Sequence, residues 1–403
     1  MDGHDNSVPV GRRVAYWRSR RNMTQQMFAD RLGKSKSWVD KVERGIRELN
    51  KLDVLHEIAA ALRVDVALLQ TGPLSGGAVP PADTELRGLV DGVQASLARY
   101  GPAAPAGSLD RLGRNAAYGW TTFRHGRLRR VLADLPGLLA QSRQARADAS
   151  GADTVAAEVF QLAATVLRKV GAAEVAWLAA DRAMAVSVGL GDPVLAARAA
   201  VPLGGVVREL GQPRPAFELC VSVAHDLAPK DPLAVDEERL SVHGSLLLQA
   251  AMAAAQLGDP LTVLELVDQA AACAARVGDG QDHHHTGFGP ALVDGVRVAA
   301  ALALESPAVA VAAHEQAATR PGWWGLPAGT RADHLVDAAR GYAGTGQEAD
   351  AARTLLEADR IAPEEVRVRP AGRAAVALAL RQADRPDPRL VMLGESLGLD
   401  GAR

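Results

Sequence analysis

Cysteine is nearly absent from this chain. Two residues of 403, Cys220 and Cys273, are too few for a disulfide framework; both stand in alanine-rich helical patterns and are expected as buried free thiols. No run of about 18 or more apolar residues escapes a charge or a turn signal, so no membrane span is expected. The N-terminus shows no apolar core of the signal-peptide kind, and the expectation is a soluble, cytoplasmic protein. No stretch alternates apolar and polar residues as a half-buried strand does, which leaves an all-α fold. Also missing are a phosphate-binding glycine loop, a nucleophile elbow and carboxylates paired for acid–base work. The chain is therefore not expected to be an enzyme, and no cofactor is implied.

Lysine is scarce too, and its distribution matters. Of six lysines, Lys34, Lys36, Lys41 and Lys51 fall within the first 51 residues. Between Val10 and Arg44 ten Lys and Arg face only Asp30, Asp40 and Glu43, whereas the whole chain carries a formal charge of −2. Positive charge concentrated in one short segment is what contact with a phosphate backbone requires.

Within that segment, residues 24–45 read as two short helices joined by a tight turn. Thr24 is placed to cap a helix from Gln25 to about Leu32, with Phe28, Ala29 and Leu32 as its buried stripe. Gly33 suits the turn, where a left-handed backbone is cheap only for glycine. Ser35 caps a second helix from Lys36 to Arg44, Val39 and Val42 face inward, and Gly45 stops it. Lys36, Ser37, Trp38, Asp40 and Lys41 remain outward. This layout places one helix in the major groove of DNA.

Val10 to Val14, Trp17-Arg18, Met23-Thr24-Gln25, Ala29, Leu32-Gly33, Ser35, Val39 to Glu43 and Gly45 together resemble the XRE family of phage-repressor-like regulators. Leu55, Ile58, Ala59, Leu62, Val64 and Leu68-Leu69 continue the resemblance, which implies a five-helix helix-turn-helix domain over residues 8–70. It also implies roles. Gln25 would bond a phosphate and reach toward a base, Lys36, Ser37, Trp38 and Lys41 would face the groove, and Arg47 and Asn50 would lie near the backbone. Trp38 either meets a thymine methyl or packs on a neighbouring helix. Val14, Trp17 and Glu43 read as structural, with Arg18 and Glu43 as a candidate ion pair. The expected DNA-contacting set is Arg12, Thr24, Gln25, Ser35, Lys36, Ser37, Trp38, Lys41, Arg44, Arg47 and Asn50.

Residues 71–84, rich in Gly, Pro and Ser, read as a linker, and Tyr100 to Ser108 as a second break after a short amphipathic helix. The segment 85–403 is then a succession of helices. Leu190-Gly191-Asp192-Pro193, Leu210-Gly211-Gln212-Pro213, Leu257-Gly258-Asp259-Pro260, Val277-Gly278-Asp279 and Thr345-Gly346-Gln347 each end one helix and begin another. Small residues such as Ala250, Ala251, Ala254 and Ala255 allow close helix crossings. The pattern resembles tetratricopeptide repeats, irregularly spaced and without their full aromatic signature, and implies a TPR-like α-solenoid with a concave binding surface. From Thr286 to Pro290, and through Trp323-Trp324, Arg331 to Leu335 and Ala362 to Val366, it is similar to the sensor half of actinobacterial XRE regulators.

Aromatics make up only 4 % of the chain, so Trp323 and Trp324, beside Pro321, Gly322 and Gly325, stand out. With Phe288 they either line a ligand pocket or anchor a loop on the core. Asp279, Asp282 and His283-His284-His285 form the one constellation suggestive of a metal, with Asp279, His283 and His285 as weak candidates; consecutive side chains rarely converge on one ion, and a polar loop is the simpler account. The expected partners are a double-stranded DNA operator, a second copy of the chain, and a small molecule, peptide or small protein at the repeats. The alternative is a DNA-tethered scaffold whose repeats recruit a protein.

Overall fold

A computed structural model describes residues 23–44, 52–62, 84–100, 108–148, 151–228 and 236–399, together with Gly11, Val14, Ala15 and Arg18. Arg12, Trp17, Gly45, Arg47, Asn50, Val64, Leu68, Leu69 and residues 71–83 of the expected linker lie outside the described residues. Among the described residues all regular structure is helical, as the sequence led one to expect. Contacts divide the chain into two units, Met1–Pro81 and Ala82–Arg403.

In the first unit, α1 (Gln25–Leu32), α2 (Lys36–Glu43) and α3 (Leu52–Leu62) surround a small apolar core. Phe28, Ala29, Val39, Val42, Ile58 and Leu62 are fully buried there, joined by Val14. Each large apolar side chain withdrawn from water contributes roughly 1.5–3 kcal/mol, so this core orders the turn between α1 and α2.

The second unit begins with α4 (Thr84–Leu97), α5 (Leu109–Arg124), α6 (Leu128–Asp148), α7 (Ala152–Lys169) and α8 (Ala173–Gly189). It continues through α9 (Pro193–Glu209), α10 (Pro213–Leu227), α11 (Glu237–Leu257), α12 (Pro260–Val277), α13 (Pro290–Ala303) and α14 (Pro307–Ala318). α15 (Ala328–Gly344), α16 (Glu348–Ile361), α17 (Pro363–Arg367), α18 (Pro370–Gln382) and α19 (Pro388–Ser396) complete it. Each helix from α5 to α16 packs on the next, and α5, α7, α9, α11, α13 and α15 also pack on one another in series. This is a stack of helical hairpins with the odd-numbered helices on one wall, the TPR-like arrangement. Proline at the first helical position recurs because its missing N–H would have no intrahelical partner there.

α11 is long and apolar enough to cross a bilayer by composition, yet it lies in the middle of the stack and is mostly buried. Ala250, Ala251, Ala254 and Ala255 on it are almost fully buried, the close crossings expected of them. One expected hairpin turn is not there. Gly278 ends α12 with an extended ψ of 176°, and the chain runs on as a strap through residues 279–289 before α13 begins at Pro290.

The stack curls until its beginning meets its end. Gly126, at φ 72°, lies where a Cβ would collide with Gly329 and Ala362, and the Arg129 amide donates to Glu364 at 2.8 Å. Lys169 joins this contact, 2.8 Å from Glu365 and 3.4 Å from Asp333, and Arg369 pairs with both carboxylates. Burial works against the Asp333 carboxylate, but Arg369 and Lys169 outweigh it and hold its pKa well below the usual range.

Candidate nucleic-acid interface and concave chamber

The turn between α1 and α2 is held by the residues the sequence singles out. Thr24 Oγ1 accepts the Met27 N–H at 3.2 Å and Ser35 Oγ accepts the Trp38 N–H at 3.1 Å. Each cap stabilises its helix by about 1 kcal/mol. Gly33 ends α1 at φ 62°, in the left-handed region. On α2, Val39, Val42 and Glu43 are buried while Lys36, Ser37 and Lys41 are exposed. Asp40 is half-buried and 3.4 Å from the exposed Arg44, a pairing worth little in water.

Glu43 is the hub of this unit. Arg18 Nε donates to its Oε1 at 2.5 Å and Nη2 to its Oε2 at 3.1 Å, while Nη1 reaches the Met23 carbonyl at 2.6 Å. Gln25 Nε2 donates to Glu43 Oε2 at 2.9 Å. That bond modifies the role the family resemblance suggested for Gln25. A phosphate accepts hydrogen bonds only, so the amide oxygen has nothing to offer it, and one of the two amide hydrogens is already committed inside the protein. Trp38 is half-buried and packs against the apolar core.

The second unit has an open-mouthed cavity of about 540 Å³. Its walls come from the odd-numbered helices: Trp120 and Arg124 of α5, Arg168 of α7, Arg198 of α9, Gln249 of α11 and Asp333 of α15. The strap closes another side. His285 stacks on Trp120 with ring centres 5.0 Å apart, and Asp282 lies 2.5 Å from Arg124. Burial raises the Asp282 pKa, but the His285 bond and Arg124 outweigh it and hold the carboxylate below its ordinary value. Phe288 anchors the far end of the strap. Its ring occupies the space a Cβ would take on Gly244 of α11.

The weak metal candidates are held apart. The three histidines turn to different partners: His283 to Glu237 at 3.4 Å, His284 to Glu238 at 3.3 Å, and His285 to Asp282 at 3.4 Å. Asp279 accepts the Ala291 N–H at 3.0 Å instead. His284 and His285 have φ of 57° and 61°, which splays the rings apart, and among the described residues no group of three or more potential ligands converges.

The tryptophan expectation also changes. Neither Trp323 nor Trp324 lines the cavity, although Gly322 and Gly325 beside them do. Adjacent side chains in the turn Pro321–Gly325 leave on different faces. Trp323 is buried edge-on to His334 and His314, at 4.8 and 5.9 Å, whereas Trp324 is 70 % exposed with Arg331 at 5.7 Å. Of the three aromatics, Phe288 alone contributes to the cavity, as a buried wall. The side chains that do form the chamber were not legible as a set, because they come a few at a time from six helices and from the strap.

No curated protein matches this chain. Among solved structures it is similar to Bacillus thuringiensis PlcR, crystallised with the peptide PapR7 and DNA, at 14 % identity and a TM-score of 0.33, covering 77 % of this chain and 94 % of that one. Residues 9–71 match the family model described as a helix-turn-helix domain, and the chain carries a helix-turn-helix DNA-binding domain in that segment.

Proposed function

We propose that the protein is a sequence-specific transcriptional regulator of the XRE type, working in the cytoplasm as a homodimer on an inverted repeat. The observation that carries this reading is the capped helix α2, which turns Lys36, Ser37 and Lys41 to solvent while Val39, Val42 and Glu43 hold its other face. Lys36 and Ser37 read base edges. Lys41 and Arg44, with Arg12, Arg47 and Asn50, bind phosphate. One such domain reads only a few base pairs, so useful specificity requires two copies with half-sites one or two helical turns apart.

The helical stack is the sensor half. A ligand in its concave chamber shifts the two reading heads only insofar as it binds their two arrangements with different affinity. No catalytic step is assigned to either unit.

The test is retention of genomic fragments by the purified full chain at moderate salt, followed by sequencing. A two-fold symmetric motif is the expected result; broad, salt-labile retention without a motif would overturn the regulator reading and favour a tether for a recruited protein. Replacing Lys41 by alanine should weaken binding evenly across sequences and lower the salt slope by about one. An unchanged slope would place Lys41 away from phosphate.

A further inference from the structure

At the C-terminal end of α4, arginines from three parts of the fold meet without a counter-charge. The Ser96 carbonyl, in the last turn, accepts Arg143 Nη1 of α6 at 2.9 Å and the Arg99 amide at 3.3 Å. One acceptor thus draws the Arg143 guanidinium to the backbone of Arg99. Arg182 of α8 lies over the ring of Tyr100, the next residue, with its Cζ 4.7 Å from the ring centre. Burial lowers the Arg143 pKa, the charges of Arg99 and Arg182 lower it further, and no carboxylate acts against them. Arg99 is exposed, Arg143 and Arg182 are half-buried, and none of the three lines the chamber.

The sequence keeps acids away from this corner. No Asp or Glu occurs between Asp91 and Asp110, or between Asp134 and Asp148. Asp181 adjoins Arg182 along α8, yet among the described residues no ion pair joins it to any of the three. Arg146, three residues beyond Arg143, has its own partner in Asp153. A guanidinium, unlike a lysine ammonium, cannot shed its proton to relieve the repulsion. Arg143 Nε and Arg182 Nη2 are enclosed without a hydrogen-bond acceptor. The negative end of the α4 dipole offsets about half of one charge. What the cluster lacks is an anion carrying more than one.

We propose that Arg99, Arg143 and Arg182 form a binding site for a doubly charged phosphate group, carried as a monoester by a small molecule or free in solution. A phosphate monoester brings close to two negative charges and three acceptor oxygens to one point, where a carboxylate brings one charge and two oxygens. Tyr100, 83 % exposed, offers ring surface for an organic body beside the phosphate. The site stands whether or not the first unit reads an operator.

The probe is phenyl phosphate, measured by equilibrium dialysis against the full-length protein without DNA at low salt. Saturable binding is expected. Phenyl sulfate, with the same body and a single charge, should bind at least about ten-fold more weakly, and so should the variants Arg99→Gln and Arg182→Gln, the scale of one lost charged hydrogen bond. Arg143 also holds the end of α4, so the exposed Arg99 is the variant that tests the charge without risk to the fold. Arg214→Gln, on a residue whose side chain is 74 % exposed elsewhere on the stack, should bind normally. Inorganic phosphate as competitor separates the sources. Displacement at the concentration of the probe itself assigns the site to free phosphate; a requirement for about ten-fold more assigns it to a phosphorylated molecule whose body rests on Tyr100, a preference that Tyr100→Ala should remove. No binding at millimolar probe, equal binding of the sulfate, or undiminished binding by Arg99→Gln would each overturn the proposal. Displacement of the probe by random-sequence duplex DNA would give the arginines to the nucleic-acid backbone and overturn it as well.

Discussion

Glu43 never faces the groove, yet replacing it should abolish DNA binding. In Glu43→Ala the Arg18 guanidinium, 14 % exposed, loses the carboxylate held at 2.5 and 3.1 Å, and among the described residues keeps the Met23 carbonyl. Gln25 Nε2 loses its acceptor at the same time. Removing one partner of a buried ion pair costs roughly 3–5 kcal/mol, because the other charge stays behind uncompensated. A small domain has about 5–15 kcal/mol in all, so most of the stability of the first unit would go. Hydrogen exchange of the amides of Val39 and Val42 in the full chain measures this locally, without interference from the second unit. The expected result is a loss of protection equivalent to about 3 kcal/mol or more, with operator binding lost in parallel. The double variant Arg18→Met, Glu43→Leu removes both charges and should recover most of it, since well-packed apolar pairs often match buried ion pairs. A single variant within about 1 kcal/mol of the parent, or a double variant no better than the single, would refute the argument.

His314 and His334 share a hydrogen bond of 2.9 Å inside the second unit, and burial pushes both pKa values down, His334 to about 3 with His314 adding to the effect. An unfolded histidine takes a proton near pH 6.5 while His334 folded does not, so stability falls as the pH drops below 6.5, by about 2 kcal/mol at pH 5 from this residue. Thermal melts from pH 7.5 to 5 should show a steeper decline for the parent than for His334→Leu; parallel curves would remove the histidine from the account. Gly244→Ala must displace the Phe288 ring, and overpacking of this kind costs about 1–3 kcal/mol. Its readout is faster proteolysis within residues 279–289, and an unaltered cleavage pattern would mean the ring does not anchor the strap. Burial pushes the Cys220 thiol up to about 12, so a thiol reagent at pH 8 should modify the half-buried Cys273 first and Cys220 only on unfolding; early modification of Cys220 would contradict its enclosure.

Local chemistry in the sequence determined a good deal of this protein. Thr24, Gly33 and Ser35 act within three or four residues of themselves, so the turn and the start of the exposed helix were legible from spacing alone. The same holds for the glycine turns at Gly191, Gly211, Gly258 and Gly346, each with φ between 70° and 78°. Gly278 looked identical and is not, because Asp279 bonds forward to Ala291 and draws the chain into the strap rather than into a helix. Partner choice over long range was decided only by the tertiary structure. Arg18 to Glu43 spans 25 residues and was a candidate pair only beside the family resemblance, whereas the Arg129 to Glu364 bond spans 235 and left no trace in any local pattern. Trp323 and Trp324, adjacent and identical, divide between core and solvent because only one face of their turn meets the helices. The chamber exists for the same reason. Its cations, strap and apolar wall become neighbours only when the stack closes, and a one-dimensional reading contains no information on which helix faces will meet.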